Sequence, residues 1–236
     1  MPIPDSPLDA LNARVVACER CPRLREYCAE VARVRRRAYL DFTYWGKPVP
    51  GFGDPQARVL ALGLAPGAHG SNRTGRMFTG DGSGDFLFPV LHEAGFASQP
   101  NAVSRDDGMQ LTDLWITAVA HCAPPGNKPA PEELRACASW LDEEIGLLTN
   151  LRVVVCLGRI AFDGLLAHAQ RSGFDGTRLP ARASFGHGVE FTLPNGLKGI
   201  ASYHPSLQNT NTGKLTRPMF LDIFRRAREL AGLPPR

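Results

Sequence analysis

The sequence lacks any apolar run of membrane-spanning length, which excludes a bilayer-crossing helix as a reading. Met1 to Ala10 has no apolar stretch of the kind a secretory signal needs, so none is expected. No internal repeat is visible, which removes the solenoids and propellers. The phosphate-cradling GxxxxGK[ST] is missing, and so is the dinucleotide fingerprint. There is no GxSxG nucleophile elbow and no paired HxE and PCxxC of the zinc deaminases. Charge of one sign is not dominant either. The formal net charge is +4, so nucleic acid is allowed but not indicated.

What is present is uneven. From Gly196 to Arg236 seven Lys or Arg stand against Asp222 and Glu229, and Arg33, Arg35, Arg36 and Arg37 form a second basic run. Taken alone, such a run reads as a solvated face. Six cysteines in a chain without an expected signal point away from disulfides and toward a metal or cluster. Cys18-Glu-Arg-Cys21 is a CxxC closed by Pro22, with Cys28 seven residues on. A thioredoxin-like site would need a strand just before that pair, and none is there. Cys137 lies on the apolar face of a helix and Cys156 inside a strand, where a small buried hydrophobe is the plain reading.

The stretch Gly63 to Asp85, GLAPGAHGSNRTGRMFTGDGSGD, organises the rest. It follows the apolar run 58–64, which reads as a buried strand. Six glycines and one proline in residues 65–85 leave no room for a long helix or strand. A linker would not carry His69, Arg73, Arg76, Phe78, Asp81 and Asp85. Glycines let backbone approach a ligand closely, and bare N–H groups after a strand hold phosphate or carbonyl oxygen. A long structural turn is the competing reading.

The remaining pattern alternates. Ser6 caps a helix with Leu8, Leu11, Val15 and Cys18 on one face. Helices are expected over 83–96, from Glu132, over 159–171 and from Pro218 to Leu230. Buried strands are expected over 114–122, 153–157 and 199–203. Residues 173–195 read as irregular, with a hairpin around 186–193. This order predicts an α/β fold with a parallel sheet and helices on both faces. Sites in such sheets lie at the carboxyl ends of the strands. Three stiff loops, 65–85, 123–131 and 204–213, follow strand ends and should meet at one edge. They carry His204, Asp81, Asn127 and Phe78, a set suited to acid–base or electrostatic chemistry. A lone loop His is usually a surface residue; the strand-end position and Pro205 favour a functional one here.

Cys18, Cys21, Cys122 and, with fourteen residues between, Cys137 resemble the cluster ligands of the iron–sulfur uracil-DNA glycosylases. GLAPGAHGSNRTGRMFTGD and SYHPSLQNTNTGKLT resemble the two signature motifs of their family 5 branch, and the similarity covers nearly the whole chain. It implies a three-layer α/β/α sandwich, a four-stranded parallel sheet of order 2-1-3-4, and one domain over 1–236 with a cluster-binding arm over about 1–57. Family 4 carries Glu where Leu64 stands and a uracil-reading Asn where Ala118 stands; family 5 is similar to this chain at both places. The resemblance implies flipping and hydrolytic removal of uracil, hypoxanthine and xanthine from DNA, leaving an abasic site.

Roles follow from it. Phe78 would stack on the flipped base; alone it reads as a core Phe. Gly63 and the backbone N–H groups of Ala65, Pro66, Gly67 and Ala68 would hold the base, with Ala118 as pocket floor, small enough for a purine. His204 would donate a hydrogen bond to the departing base. Asp81 beside it would orient water or stabilise the sugar cation, and Asn127 would be a third polar group. His69, Arg73 and Arg76 are expected to face DNA, and Ser206, Leu207, Gln208 and Asn209 to enter or brace the duplex. None of these residues is a lysine, so a water-using enzyme without lyase chemistry is expected. By count, four thiolates suit Zn or an iron–sulfur cluster; the resemblance favours [4Fe–4S] on Cys18, Cys21, Cys122 and Cys137, with Cys28 the rival ligand. A monomer acting on DNA in the cytoplasm or nucleoid, away from membranes, is expected. The rival readings are a metal-stapled nucleic-acid-binding module without activity and an electron-transfer iron–sulfur protein. Neither accounts for an Asp and a His on convergent strand-end loops.

Overall fold

The structure is a computed structural model that describes residues 6–173 and 184–236. Of the irregular stretch expected over 173–195, residues 174–183 lie outside these. The four long strands are β2 (Val59–Gly63), β3 (Leu114–Ala118), β4 (Val153–Leu157) and β6 (Lys198–Ser202). They are parallel and stand in the order β3-β2-β4-β6. The sheet is nevertheless not the four-stranded parallel one expected. Two short antiparallel strands, β1 (Phe52–Gly53) beside β3 and β5 (Glu190–Thr192) beside β6, extend it to six. The two residues of β1 give too little alternation to signal a strand in a Pro- and Gly-rich sequence, whereas β5 falls within the hairpin expected around 186–193. Ala118 closes β3 earlier than expected, although Val119 and Ala120 still donate to the carbonyls of Gly63 and Leu64 at 3.1 Å.

Both faces of the sheet are covered, so the strands are apolar throughout. Val59, Ala61, Val153 and Val155 face the layer formed by α4 (Gly82–Glu93) and α8 (Arg217–Leu230). Leu60, Leu62, Val154 and Cys156 face α5 (Pro131–Leu147) and α6 (Arg159–Arg171). Cys156 is wholly buried there, as packing alone would have it. From α8, Phe220, Phe224 and Ala227 enter the first core, and each large ring buried is worth about 1.5–3 kcal/mol. Pro89 lies inside α4 without ending it.

The N-terminal helices lie outside these layers. α1 (Pro7–Val16) is capped by Ser6, which accepts the Asp9 N–H, and packs on α5 through Leu11, Val15 and Trp140. It stops before Cys18. α2 (Pro22–Val34) opens at Pro22 directly after Cys21 and reaches α3 (Ser71–Thr74), a single turn within the glycine-rich loop. α7 (Leu207–Asn211) is the short helix after β6. No described helix is long and apolar enough to cross a membrane.

Arg76 and Asp107 join the glycine-rich loop to the polar connection before β3. The guanidinium donates to both carboxylate oxygens at 2.8 and 2.7 Å. Asp107 also accepts the N–H groups of Val103, Ser104 and Met109. Both side chains are about 95% buried. Arg76 and the backbone donors hold the Asp107 carboxyl well below the usual carboxylate range, against burial. Breaking a buried pair leaves a charge uncompensated, so Arg76→Ala should cost about 3–5 kcal/mol in urea unfolding at neutral pH. A depressed folded pKa means that the carboxylate's contribution is present above about pH 4 and is lost as pH falls below it, so the difference between variant and parent should shrink on acidification. A loss under about 1 kcal/mol at pH 7 would show that the pair is not what fixes the loop.

Candidate active site

The three stiff loops do converge. At the carboxyl ends of β2, β3 and β6 a cavity of about 580 Å³ is lined by Leu64, Ala65, Gly67, Phe78 and Asp81 from the first, Gly126 and Asn127 from the second, and His204 and Ser206–Gln208 from the third. Ser71, Met77, Gly82 and Ser83 also line it and were not singled out from the sequence. Ser71 and Ser83 sit inside the same loop, and that adjacency was the signal available.

Phe78 is held by a geometric exchange with glycine. Its backbone is left-handed, φ 53°, a conformation that costs a large side chain about 1–3 kcal/mol. Its ring lies where Gly63 has no side chain; a Cβ there would stand 2.9 Å from two ring atoms. Gly63 therefore does not line the cavity but makes room for the ring that does. The Phe78 ring lies 6.1 Å from that of His204, inclined by 32°. Phe78 is both a core residue and a wall of the cavity, since it is 8% exposed.

Asp81 is the N-cap of α4. Its Oδ1 accepts the N–H groups of Ser83 and Gly84 at 3.0 and 3.1 Å. Its Oδ2 faces Gly67, where an added Cβ would come within 2.6 Å. Burial raises the carboxyl's pKa against these two amide bonds. No hydrogen bond among the described residues uses the N–H of Ala65, Gly67 or Ala68. Pro66 has no N–H, so the expected cradle has three donors rather than four. Pro66 is buried off the cavity, and Ala68 packs toward Leu24, Cys28 and Cys122.

His204 follows β6. Burial alone depresses its pKa to about 4, so the ring is neutral at pH 7. Its ring makes no hydrogen bond among the described residues, while its carbonyl accepts from Asn209 Nδ2 at 2.8 Å. Asn127 is exposed at the rim, in a left-handed turn with φ 57°.

Several expected contacts point elsewhere. Ala118 is 1% exposed and packs in the sheet's first core, so it is not pocket floor. Arg73 is buried: it donates to the carbonyls of His69 and Gly80 at 2.8 Å and lies between the rings of Tyr39 and Phe42. Arg76 is taken up by Asp107. Neither guanidinium is free to face DNA. Asn209 turns inward to the His204 carbonyl. His69 shares a hydrogen bond with the Tyr44 hydroxyl at 3.1 Å. Ser206 and Gln208 stay at the cavity, and Leu207 is 57% exposed at its mouth. Lys214, inside the second motif, lies 4.8 Å over the Tyr203 ring.

A second, smaller cavity lies between α1, α2 and α5, lined by Cys18, Cys21, Cys122 and Cys137 together with His121 and Trp140. Burial pushes the Cys137 thiol up to about 12, with Cys18 and Cys21 adding to the shift. Burial and Cys18 raise Cys21. Cys28 stays outside this set, its thiol donating toward the Ala123 carbonyl at 3.6 Å. No group of three or more His, Cys, Asp or Glu among the described residues converges at the spacing of a single metal ion.

Comparison with known proteins agrees across most of the chain. The profile of the Uracil DNA glycosylase superfamily matches residues 50–228. The chain is 54% identical to the type-5 uracil-DNA glycosylase of Thermus thermophilus over 225 residues, covering 95% of this chain and 99% of that one. It is 49% identical to the type-5 enzyme of Mycobacterium bovis, over 94% of this chain and 81% of the relative. To that of Pyrobaculum aerophilum it is 45% identical, over 93% and 91%.

The depressed His204 has a direct readout. Its ring should titrate in a nitrogen-detected NMR experiment with a midpoint at about 4, and stay neutral from pH 5.5 to 8. Because the unfolded ring takes its proton near 6.5, folding should lose stability as pH falls from about 6.5 to 4. A midpoint between 6 and 7 would mean that water reaches the ring freely.

Proposed function

The chain belongs to the Uracil DNA glycosylase superfamily, in its type-5 branch, and we propose that it hydrolyses the N-glycosidic bond of uracil in DNA, leaving an abasic site. The observation that carries the reading is the single cavity in which the strand-end loops bring together Asp81, Phe78, His204 and unspent backbone donors. A base must leave the helical stack to reach such a cavity. Phe78 offers it a ring face at the wall. Leu207, apolar and exposed at the mouth, suits the gap that the departed base leaves in the duplex.

The chemistry follows from charge. As the C1′–N bond breaks, its electron pair goes to the base, and the sugar acquires oxocarbenium character. A water oxygen then bonds to C1′, and the proton it gives up ends on the departed base anion. The unspent N–H groups of Ala65 and Gly67, both on the cavity lining, would donate to the negative charge growing on the base without reorganising. Neutral His204 donates one further hydrogen bond to it. The Asp81 carboxylate, on the cavity lining, would orient the water or steady the cationic sugar. Asn127 is a third polar group at the rim. None of these groups is an amine, and the reading is a monofunctional glycosylase.

We also propose a base range wider than uracil, taking in hypoxanthine and xanthine. The cavity's volume supports it. The four cysteines of the second cavity suit a [4Fe–4S] cluster, in which each thiolate binds a different iron and the sulfurs do not meet at one ion. Such a cluster would cross-link the N-terminal helices to α5 and the segment after β3, contributing folding energy rather than electrons for the reaction. The protein acts on DNA, as a monomer in this reading.

Two measurements decide. A duplex carrying one uracil, incubated with excess protein and then with alkali, should break at that position. His204→Ala should slow base release by roughly a hundredfold or more with little change in duplex affinity, the scale seen when one preorganised donor is lost. Intact strands from the unaltered protein would refute the glycosylase reading, and weakened binding with unchanged release would move His204 to the binding surface. Separately, Cys122→Ala should lose bound iron and the brown colour, with a lower unfolding midpoint. A colourless variant of parental stability would remove the structural cluster.

A further inference from the structure

The His204 ring has no hydrogen-bonding partner to aim it among the described residues. Its direction into the cavity is set by its main chain and by Gly158, where an added Cβ would stand 3.2 Å from that of His204. The main chain is held by a side chain on each side. After it, the His204 carbonyl accepts from Asn209 Nδ2 at 2.8 Å. Before it, the Tyr203 N–H donates to Nδ1 of His187 at 3.2 Å.

His187 is itself anchored. It lies in the turn leading to β5, where the Gly188 N–H donates to the Ala201 carbonyl at 2.8 Å. Its ring lies 5.2 Å from that of Tyr203, inclined by 34°. The backbone of Met219, at the start of α8, lies against the same ring. A nitrogen facing a backbone N–H must be bare, so the proton of the neutral ring sits on the other nitrogen. Burial keeps this ring below the ordinary histidine value, which favours that neutral form. Among the described residues no other acceptor takes the Tyr203 N–H. β6 ends at Ser202, and its neighbour β4 has ended at Leu157.

We propose that His187 is a positioning residue for base release: it accepts the Tyr203 N–H and, with Asn209, clamps the main chain before and after His204 so that the imidazole N–H meets the departing base. This rests on the role given to His204 above. It makes His187 necessary for the chemical step although it lies outside the residues lining the cavity. A displacement of about 1 Å in such a donor costs up to about a hundredfold in rate.

The test compares two polar replacements. Asn carries its oxygen where Nδ1 lies and can still accept the Tyr203 N–H. Gln reaches the far side of the ring and leaves that N–H without an acceptor. With enzyme in excess over uracil duplex, His187→Gln should lower the base-release rate by about tenfold or more, with duplex affinity within about twofold. His187→Asn should stay within about threefold of the parent. In a His204→Ala background, His187→Gln should cost nothing further, because it acts through the ring that is gone. Should His187→Gln fail to fold, Asn209→Ala tests the other half of the clamp by the same two readouts. Equal rates for the Gln and Asn variants, or a further loss in the His204→Ala background, would overturn the proposal. Failure of the unaltered protein to release uracil would instead refute the glycosylase reading, and the role of His187 with it.

Discussion

The carboxylate of Asp81 is the point around which the glycine-rich loop closes. One oxygen is committed to the first turn of α4 through the amides of Ser83 and Gly84. The other is walled by Gly67 and Gly70, where any side-chain carbon would collide with it. The loop therefore runs around a charge, and the carboxylate fixes the Gly67 region relative to a helix end. Gly84 extends the same constraint. A Cβ there would strike the Phe78 carbonyl, so the left-handed Phe78 and the helix start are mutually dependent. The positive end of the α4 dipole falls on the same carboxylate, which offsets part of the cost of burying it.

Arginines complete the enclosure, and for this reason they are not where charge alone would place them. Arg73 and Arg76 sit in the loop that forms the cavity wall, yet both are spent internally, on carbonyls, on Asp107 and on aromatic rings. A guanidinium presents five donors, enough to tie several strained carbonyls at once. Arg73 also reaches Tyr39 and Phe42, so the segment after α2 is fastened to the loop. The Trp45 N–H to the Arg73 carbonyl, at 2.9 Å, and Asn72 Nδ2 to the Cys28 carbonyl, at 3.3 Å, add to that seam. The cysteine cavity and the base cavity are thus two sides of one packed segment, with Ala68 turned toward the first and Gly67 toward the second.

Much of this was legible. Runs such as Val153 to Leu157 are apolar on both faces and could only be strands covered on both sides. Loops too rich in Gly and Pro to be regular, yet punctuated by His and Asp, marked the cavity correctly, because irregular backbone after a parallel strand has to lie at the sheet's functional edge. Other features were hidden for physical reasons. β1 is an edge pairing of two residues, formed only because a neighbouring strand is already there. Arg73 and Arg76 carry the same letter as a phosphate contact; what separates the two uses is burial, which one residue's identity does not encode. Ala118 marks the end of its strand, but the sequence does not say whether the face it points to is cavity or core. His187 lies in a glycine-rich turn beside β6, and its link to Tyr203 comes from hairpin pairing rather than from any motif.

Placing a neutral imidazole at the cavity has an electrostatic consequence. A histidinium would attract the departing base more strongly, but burial makes that form expensive, and holding the ring at about 4 leaves an N–H donor whose charge state does not change through the physiological range. The proposed reaction then draws on dipoles rather than ions on the base side, namely two amides and one imidazole. It keeps its full charge, the Asp81 carboxylate, for the sugar side. Dipoles fixed in a low-dielectric cavity gain strength as negative charge develops and demand no reorganisation of solvent. They also work only if their direction is fixed, since a misaimed hydrogen bond weakens steeply with angle. That requirement explains the economy of the surrounding fold. The first loop is wrapped on a carboxylate, and Phe78 is wedged over a glycine. The main chain around His204 is pinned from both sides. The stability spent on a left-handed Phe and on buried guanidinium groups goes into orientation, which is what this chemistry depends on.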